Sequence, residues 1–153
     1  MALKDYQIPK RDVPLPNGGN FAVRGLSLPD ITILVDRHSV ALRAMFDHYN
    51  GVAQDVSLDD LGGIGVSILE SAPKLAAEII AIAADEPDEI EKVSVLPFPA
   101  QVDALEKVAK LTFDTSGGPK KVIETVIRIL RGVSDLTVDL RTSKAGSLAS
   151  VER

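Results

Sequence analysis

Residues spaced alternately three and four apart constrain this chain more than any other feature of its sequence. Between positions 28 and 49, seven residues form one continuous series at this spacing: Leu28, Ile31, Val35, His38, Leu42, Met45 and Tyr49. Because an α-helix makes one turn every 3.6 residues, these positions share one face of a helix. The series predicts one long amphipathic helix, which Asn50-Gly51 would end with a typical C-cap pair.

The start of this helix carries the pattern of a capping box. Ser27 stands three residues before Asp30, so its hydroxyl can accept the Asp30 N–H while the carboxylate reaches back to the Ser27 N–H. Leu26 and Ile31 occupy the positions of a hydrophobic staple, and Pro29 falls in the first turn, where its missing N–H leaves no bond unmade. The helix is therefore expected to begin directly after Ser27.

Four more amphipathic stretches follow, each bounded by proline, glycine or a capping residue. They are predicted to begin after Ser57, at Pro73, at Pro97–Pro99 and at Pro119, and the last is predicted to end near Gly132. The acidic stretch from Asp85 to Glu89 is expected to be a solvated link. The stretch from Glu89 to Leu96 fits either a short helix or a strand.

Residues 6–24 carry the pattern of a β-hairpin. Asn17-Gly18 stands between two β-prone arms, and both residue types tolerate the positive φ that tight hairpin turns need. Phe21 and Val23 alternate with their neighbours in the second arm, which is the period of a strand. Three prolines in and beside the first arm cannot donate ladder hydrogen bonds, so that arm is expected at a sheet edge.

These patterns predict a mainly α (α+β) fold of about five helices with a small N-terminal hairpin. With 153 residues, 45% of them apolar and 4% aromatic, the chain suits one domain with an aliphatic core. We expect that domain over residues 1–133. From Ser134 the helical period is lost, and a flexible C-terminal tail is expected over residues 134–153.

Composition argues against several classes of function. The chain has no cysteine, so it can form no disulfide, thiolate metal site or cysteine nucleophile. It has 17 basic and 22 acidic residues, and a net charge of −5 disfavours binding to a nucleic-acid backbone. No apolar run approaches the roughly 20 residues of a membrane span. Neither a nucleic acid nor a membrane is expected as a partner.

No motif of the sequence points to catalysis or to a cofactor. His38 and His48 lie ten residues apart on one predicted helix, about 15 Å along its axis, so they cannot share a metal ion. The glycine-rich stretches 62–65 and 117–118 lack the spacing of nucleotide-binding loops. The acidic link lacks the ligand pattern of a calcium loop. These residues indicate a helical binding or assembly domain that is not an enzyme.

Two stretches carry a resemblance to a known family. Residues 21–30, Phe-Ala-Val-Arg-Gly-Leu-Ser-Leu-Pro-Asp, together with Leu34 and His38, resemble the opening of bacteriophage tail assembly chaperones, the pre-tape-measure proteins of long-tailed phages. Leu96-Pro97, Gln101, Ala104-Leu105 and Leu111-Thr112-Phe113 are similar to a later part of that family. The resemblance covers roughly residues 5–133.

The resemblance implies a chaperone that binds the tape measure protein and keeps it soluble while the tail tube polymerises around it. It also implies action in the host cell cytoplasm, absence from the mature virion, and self-association. It carries over no catalytic residue. A small structural or adaptor component of the phage particle and a helical nucleic-acid-binding regulator remain the alternative functions.

Two sets of residues are candidates for functional contacts. The stripe Val35, His38, Leu42 and Met45 is a candidate client or subunit interface, and its alternative role is core packing. The block that matches the family consists of Phe21, Val23, Arg24, Gly25, Leu26 and Ser27. The pattern of this block is typical of a hairpin that leads into a capped helix. Its residues therefore have either a structural role or a role in binding a partner.

Self-association is the first testable expectation. Several strongly apolar helix faces give this chain more apolar surface than a small bundle easily hides, and such patches usually mark interaction sites. We expect a homo-oligomer at micromolar concentration. Light scattering should give a mass that is a multiple of the 16.3 kDa chain. A monomer mass that persists as the concentration is raised would contradict this expectation.

Overall fold

A computed structural model of the chain describes residues 2–48 and 61–132. In this part the strands are β1 (Lys10–Pro14) and β2 (Asn20–Arg24), and the helices are α1 (Leu28–Arg37), α2 (Ser39–His48), α3 (Leu61–Ser71), α4 (Pro73–Ala83), α5 (Ile90–Ser94), α6 (Phe98–Thr115) and α7 (119–132). Short 3-10 turns occupy Leu3–Asp5 and Pro87–Glu89. The predicted mainly α fold with an N-terminal hairpin is confirmed.

The helix count differs from the prediction for two reasons. The expected first helix is divided into α1 and α2, and the undecided stretch before Pro97 contains the short helix α5. The helix starts predicted at Pro73, at Pro97–Pro99 and at Pro119 are confirmed. The predicted cap at Ser57, the Asn50-Gly51 C-cap and the tail over residues 134–153 lie outside the described residues.

The hairpin lies where the sequence predicts it, but its turn is of another type. β1 and β2 pair antiparallel from Lys10↔Arg24 to Pro14↔Asn20. The Gly18 N–H donates to the Leu15 carbonyl at 3.1 Å, and Gly18 has a φ of 86°. Asn17 has no positive φ; its Oδ1 accepts the Gly19 N–H at 3.1 Å.

This is the geometry of a three-residue loop built on a type I turn, with glycine in the left-handed position. Pro16 explains the choice, because its fixed φ near −65° suits the second position of a type I turn. Asn17-Gly18 therefore marks the hairpin correctly, although only the glycine uses the positive φ.

The hairpin is stabilised by packing on the helices. Val13 and Val23 are 0% exposed and belong to one core cluster with Ile80 of α4 and Val108 of α6. A hairpin alone is marginal in water, so this burial is what makes the two strands stable. Lys107 of α6 adds a polar contact, because its Nζ donates to the Asp12 carbonyl at 2.6 Å.

Helix α4 forms the centre of the molecule. Eight of its eleven residues are buried, where the sequence predicted a single apolar face. Four of its residues are alanines, and these small side chains let neighbouring helices approach closely. Contacts reach α4 from α1, α3, α5, α6 and β2. These five elements therefore pack directly on α4.

The predicted single long helix is wrong at His38. Helix α1 ends at Arg37, α2 begins at Ser39, and His38 between them has φ −124° and ψ 30°. The main-chain bonds on both sides persist: the His38 N–H donates to Leu34, and the His38 carbonyl accepts from Leu42, each at 2.9 Å. Because the bend is so local, the spacing of three and four continues through it and hides it.

The approach of β2 to α6 generates a testable prediction. A β-carbon at Gly25 would lie 2.9 Å from the carbonyl carbon of Leu111 and 2.9 Å from the nitrogen of Thr112, both of them helix backbone atoms. We expect Gly25→Ala to lower the free energy of unfolding by about 1–3 kcal/mol, as overpacking does. Urea unfolding of the full chain measures this value.

Gly63→Ala is the matched control. Gly63 lies in α3, and a β-carbon there would have nothing within 4 Å. This variant is expected to be neutral or to gain up to about 1 kcal/mol, because alanine favours helix over glycine. Equal effects of the two substitutions would show that the close approach at Gly25 does not constrain the fold.

Candidate functional site

Arg24 joins three elements at the end of β2. Its Nη1 donates to Asp30 Oδ2 at 2.6 Å, and its Nε donates to Asp85 Oδ1 at 2.8 Å. The same guanidinium contacts the carbonyls of Gly25 at 3.0 Å and Ile82 at 3.2 Å. Arg24 therefore fixes the hairpin to the first turn of α1 and to the end of α4.

Asp30 both caps α1 and binds Arg24. Its Oδ2 accepts the Ser27 N–H at 2.9 Å, while the Ser27 hydroxyl accepts the Asp30 N–H at 3.4 Å, so the predicted capping box is confirmed. Burial of the Asp30 carboxyl works to raise its pKa, but the hydrogen bonds from Arg24 and Ser27 outweigh it, and the pKa lies below its ordinary value. The hydrogen bond to Asp30 is the main cause that raises the pKa of Arg24.

Asp85 lies in the acidic link, and its carboxylate contacts two basic residues of the hairpin. The link is exposed, as predicted, yet the Asp85 carboxylate binds Arg24 and lies 3.7 Å from the Lys10 Nζ. Asp85 also has a φ of 59°, a left-handed conformation that aspartate tolerates better than most residues. The turn after α4 is thus shaped to bring this carboxylate to the hairpin.

Every residue of the block that matches the family has a contact within the fold. Val23 is buried and Phe21 packs partly buried against the same core cluster. The Leu26 N–H donates to Thr112 Oγ1 at 2.9 Å, and the Leu26 side chain packs with Ile31. Arg24, Gly25 and Ser27 act as described above. These contacts favour a structural role for the block.

An apolar cavity of about 210 Å³ lies among α1, α2, α3, α4, α6 and α7. Thr112 is the one hydroxyl residue among its described lining residues, and its Oγ1 is satisfied by the Val108 carbonyl and the Leu26 N–H. Several lining side chains are half-buried, so the cavity reaches the surface. A cavity of about 150 Å³ accepts a benzene ring, so this one can hold one or two apolar side chains.

The structure brings two members of the predicted stripe to this cavity. Val35 is 1% exposed and packs with Ile31 and Leu130, and Leu42 forms a half-buried part of the wall. His38 does not line the cavity; it contacts Glu78 instead. The side chain of Met45 lies outside the described residues.

The sequence did not identify the remaining walls of the cavity as part of a site. They include Ile68, Ile79, Phe113, Val122, Ile123 and Val126, from four different helices. Most of these residues belong to apolar faces of the predicted helices. Periodicity shows which face of a helix is apolar, but it does not show which other faces it meets.

The structure combines a mainly α fold with an apolar cavity lined by six of its helices. Within residues 2–48 and 61–132, no group of three or more His, Asp or Glu residues could hold a metal ion. None of the helices in these ranges is long and apolar enough to cross a bilayer.

The model of the pre-tape measure protein family matches residues 1–147. The chain therefore belongs to this family, which confirms the family expected from its sequence and makes it a phage tail-related protein. The family is one of phage assembly and not a known enzyme family. No match was found among curated proteins or among solved structures.

The lowered pKa of Asp30 predicts a dependence of stability on pH. A carboxyl whose pKa is lower in the folded state stabilises the protein above its unfolded-state pKa, and this contribution is lost as the pH falls through the folded-state pKa. Asp30→Asn should therefore destabilise the chain at pH 7 and show a smaller difference from wild type below about pH 4.

Urea unfolding at both pH values measures this difference. Asp36→Asn, on the exposed side of the same helix, controls for the removal of a negative charge. A difference between Asp30→Asn and wild type that stays constant with pH would contradict the role given to the Asp30 carboxylate.

Proposed function

We propose that this protein is a tail assembly chaperone that binds the tape measure protein and keeps it soluble during assembly of the tail tube. The observation that supports this function is an apolar cavity, open to the surface, in a member of the pre-tape measure protein family. A tape measure protein is a long helix former whose apolar stripes stay uncovered until the tube closes around it. Such stripes present the apolar side chains that the cavity suits.

The size of the cavity favours many weak contacts over a single tight one. A helix with its side chains is about 10–12 Å wide, so a space of about 210 Å³ takes side chains of the client and not a whole helix. One copy of the chaperone then covers one short section of the client. Many copies along a long client give avidity, while each contact can still release.

Self-association and location complete the proposal. Exposed apolar side chains on α1 and α2, namely Leu28, Ile33 and Val40, are available for contacts between copies or with the client. The protein is proposed to act in the cytoplasm of the infected host as a homo-oligomer, and to be absent from the mature virion. A band of this chain in purified virions would instead favour a structural or adaptor component.

Co-expression with the tape measure protein of its own phage tests the function. Wild-type chaperone should raise the soluble fraction of the client, and Leu42→Asp should return it toward the level without chaperone. The reason is that a carboxylate in an apolar wall is poorly solvated and opposes entry of an apolar side chain.

Ala44→Asp is the matched control, because Ala44 lies on the same helix, is exposed and does not line the cavity. It should rescue the client as wild type does. Both variants are first checked for folding by circular dichroism and urea unfolding. A folded Leu42→Asp variant with full rescue would exclude the cavity as the client site, and no rescue by wild type would overturn the chaperone proposal.

A further inference from the structure

Among the described residues, the proposed function leaves one buried ionisable group, Glu78, without a role. Glu78 lies on α4 among alanine and isoleucine residues, and its side chain is 7% exposed. Its Oε1 accepts a hydrogen bond from Arg37 Nη1 at 2.5 Å, and its Oε2 lies 2.6 Å from His38 Nε2. Burial acts to raise the pKa of Glu78, but the hydrogen bonds with His38 and Arg37 outweigh it. The pKa of Glu78 therefore lies below its ordinary value.

Both partners of Glu78 come from the break between α1 and α2. Arg37 is the last residue of α1, and His38 is the bent residue itself. A residue inside a helix has φ near −63° and ψ near −42°, whereas His38 has φ −124° and ψ 30°. Glu78 therefore binds the chain at the point where its direction changes, and no other polar contact to α4 is described for this break.

The first part of helix α2, residues 39–44, has few other contacts among the described residues. None of the side chains of residues 39–44, which are the side chains of this helix that the structure describes, is buried. Beyond the break, its described contacts are Leu42 at the cavity wall and a hydrogen bond of 3.3 Å from Arg43 Nη2 to the Leu130 carbonyl. In contrast, Leu34 and Val35 of α1 are 4% and 1% exposed. The break thus separates the buried face of α1 from a stretch, residues 39–44, in which no side chain is buried.

We propose that Arg37, His38 and Glu78 form a latch that holds α2 at the rim of the cavity and controls how wide the opening of the cavity is. With the latch closed, Leu42 stays on the cavity wall. When the His38–Glu78 contact opens, α2 turns about position 38, Leu42 leaves the wall and the opening of the cavity widens for apolar side chains. Arg37, whose side chain is 60% exposed, remains as a partner for the carboxylate, so opening does not leave Glu78 without a countercharge.

Only one part of the latch proposal rests on the proposed function, namely that side chains of the client enter the widened cavity. The movement itself is a property of the isolated chain. It can be tested without the tape measure protein, so failure of the latch and failure of the chaperone proposal are distinguishable.

Thiol labelling tests the movement directly, because the chain has no cysteine of its own. Leu42→Cys places a single thiol on the cavity wall, and its reaction with a maleimide reports how often that wall opens. Adding His38→Leu removes the contact to Glu78 while Arg37 remains. The labelling rate should rise about tenfold, which is the population change expected when a hydrogen bond to a charged group is lost.

Two control variants and a second measurement accompany the labelling experiment. His38→Gln can still donate to Glu78 and should label close to the rate of the His38 form. Lys110→Ala breaks a surface ion pair with Glu106 on α6 and should not change the rate. Hydrogen exchange of the same variants should show lost protection in α2 alone.

Two results would overturn the latch. One is an unchanged labelling rate in a folded His38→Leu variant. The other is loss of exchange protection spread equally over α1, α4 and α6, which would show that His38 stabilises the whole fold and does not control α2. Faster labelling with protection lost in α2 alone supports it, whatever the outcome of the co-expression experiment.

Discussion

The position of the hairpin on the helices depends on the ion pairs that the Arg24 guanidinium forms. A two-stranded hairpin has too little apolar surface to be stable alone, and a helix bundle gives it no fixed position unless something binds it there. Arg24 binds Asp30 in the first turn of α1 and Asp85 in the turn after α4. With Gly25 against the backbone of α6, it fixes the hairpin on three helices at once.

The central helix α4 determines where the apolar space lies. Its small alanine side chains let other helices pack closely around it, while Leu75 and Ile79 leave part of their surface to the cavity. The same helix carries Glu78, the buried carboxylate that binds the break between α1 and α2. One element therefore supports the core, the cavity wall and the proposed control of its opening.

The described walls of the cavity are almost entirely apolar. Among the described lining residues there is a single hydroxyl and it is satisfied, so the cavity suits apolar side chains of a certain size and not a defined sequence. That property suits the proposed client, which presents many similar apolar positions along its length. It also explains why the sequence offered no motif of function: an apolar cavity has no short signature, unlike a metal or nucleotide site.

The sequence by itself determined the elements whose signals are local. The capping box at Ser27 and Asp30, the hairpin around Asn17-Gly18 and the helix starts at Pro73 and Pro119 all depend on residues within a few positions of one another. The tertiary structure decided the break at His38, the need for glycine at position 25 and the walls of the cavity. Glu78 lies 40 residues from His38, and Thr112 lies 86 residues from Leu26, so no local pattern could contain these contacts. Periodicity indicates which face of a helix is apolar, but which other element packs against that face depends on how all the helices pack together.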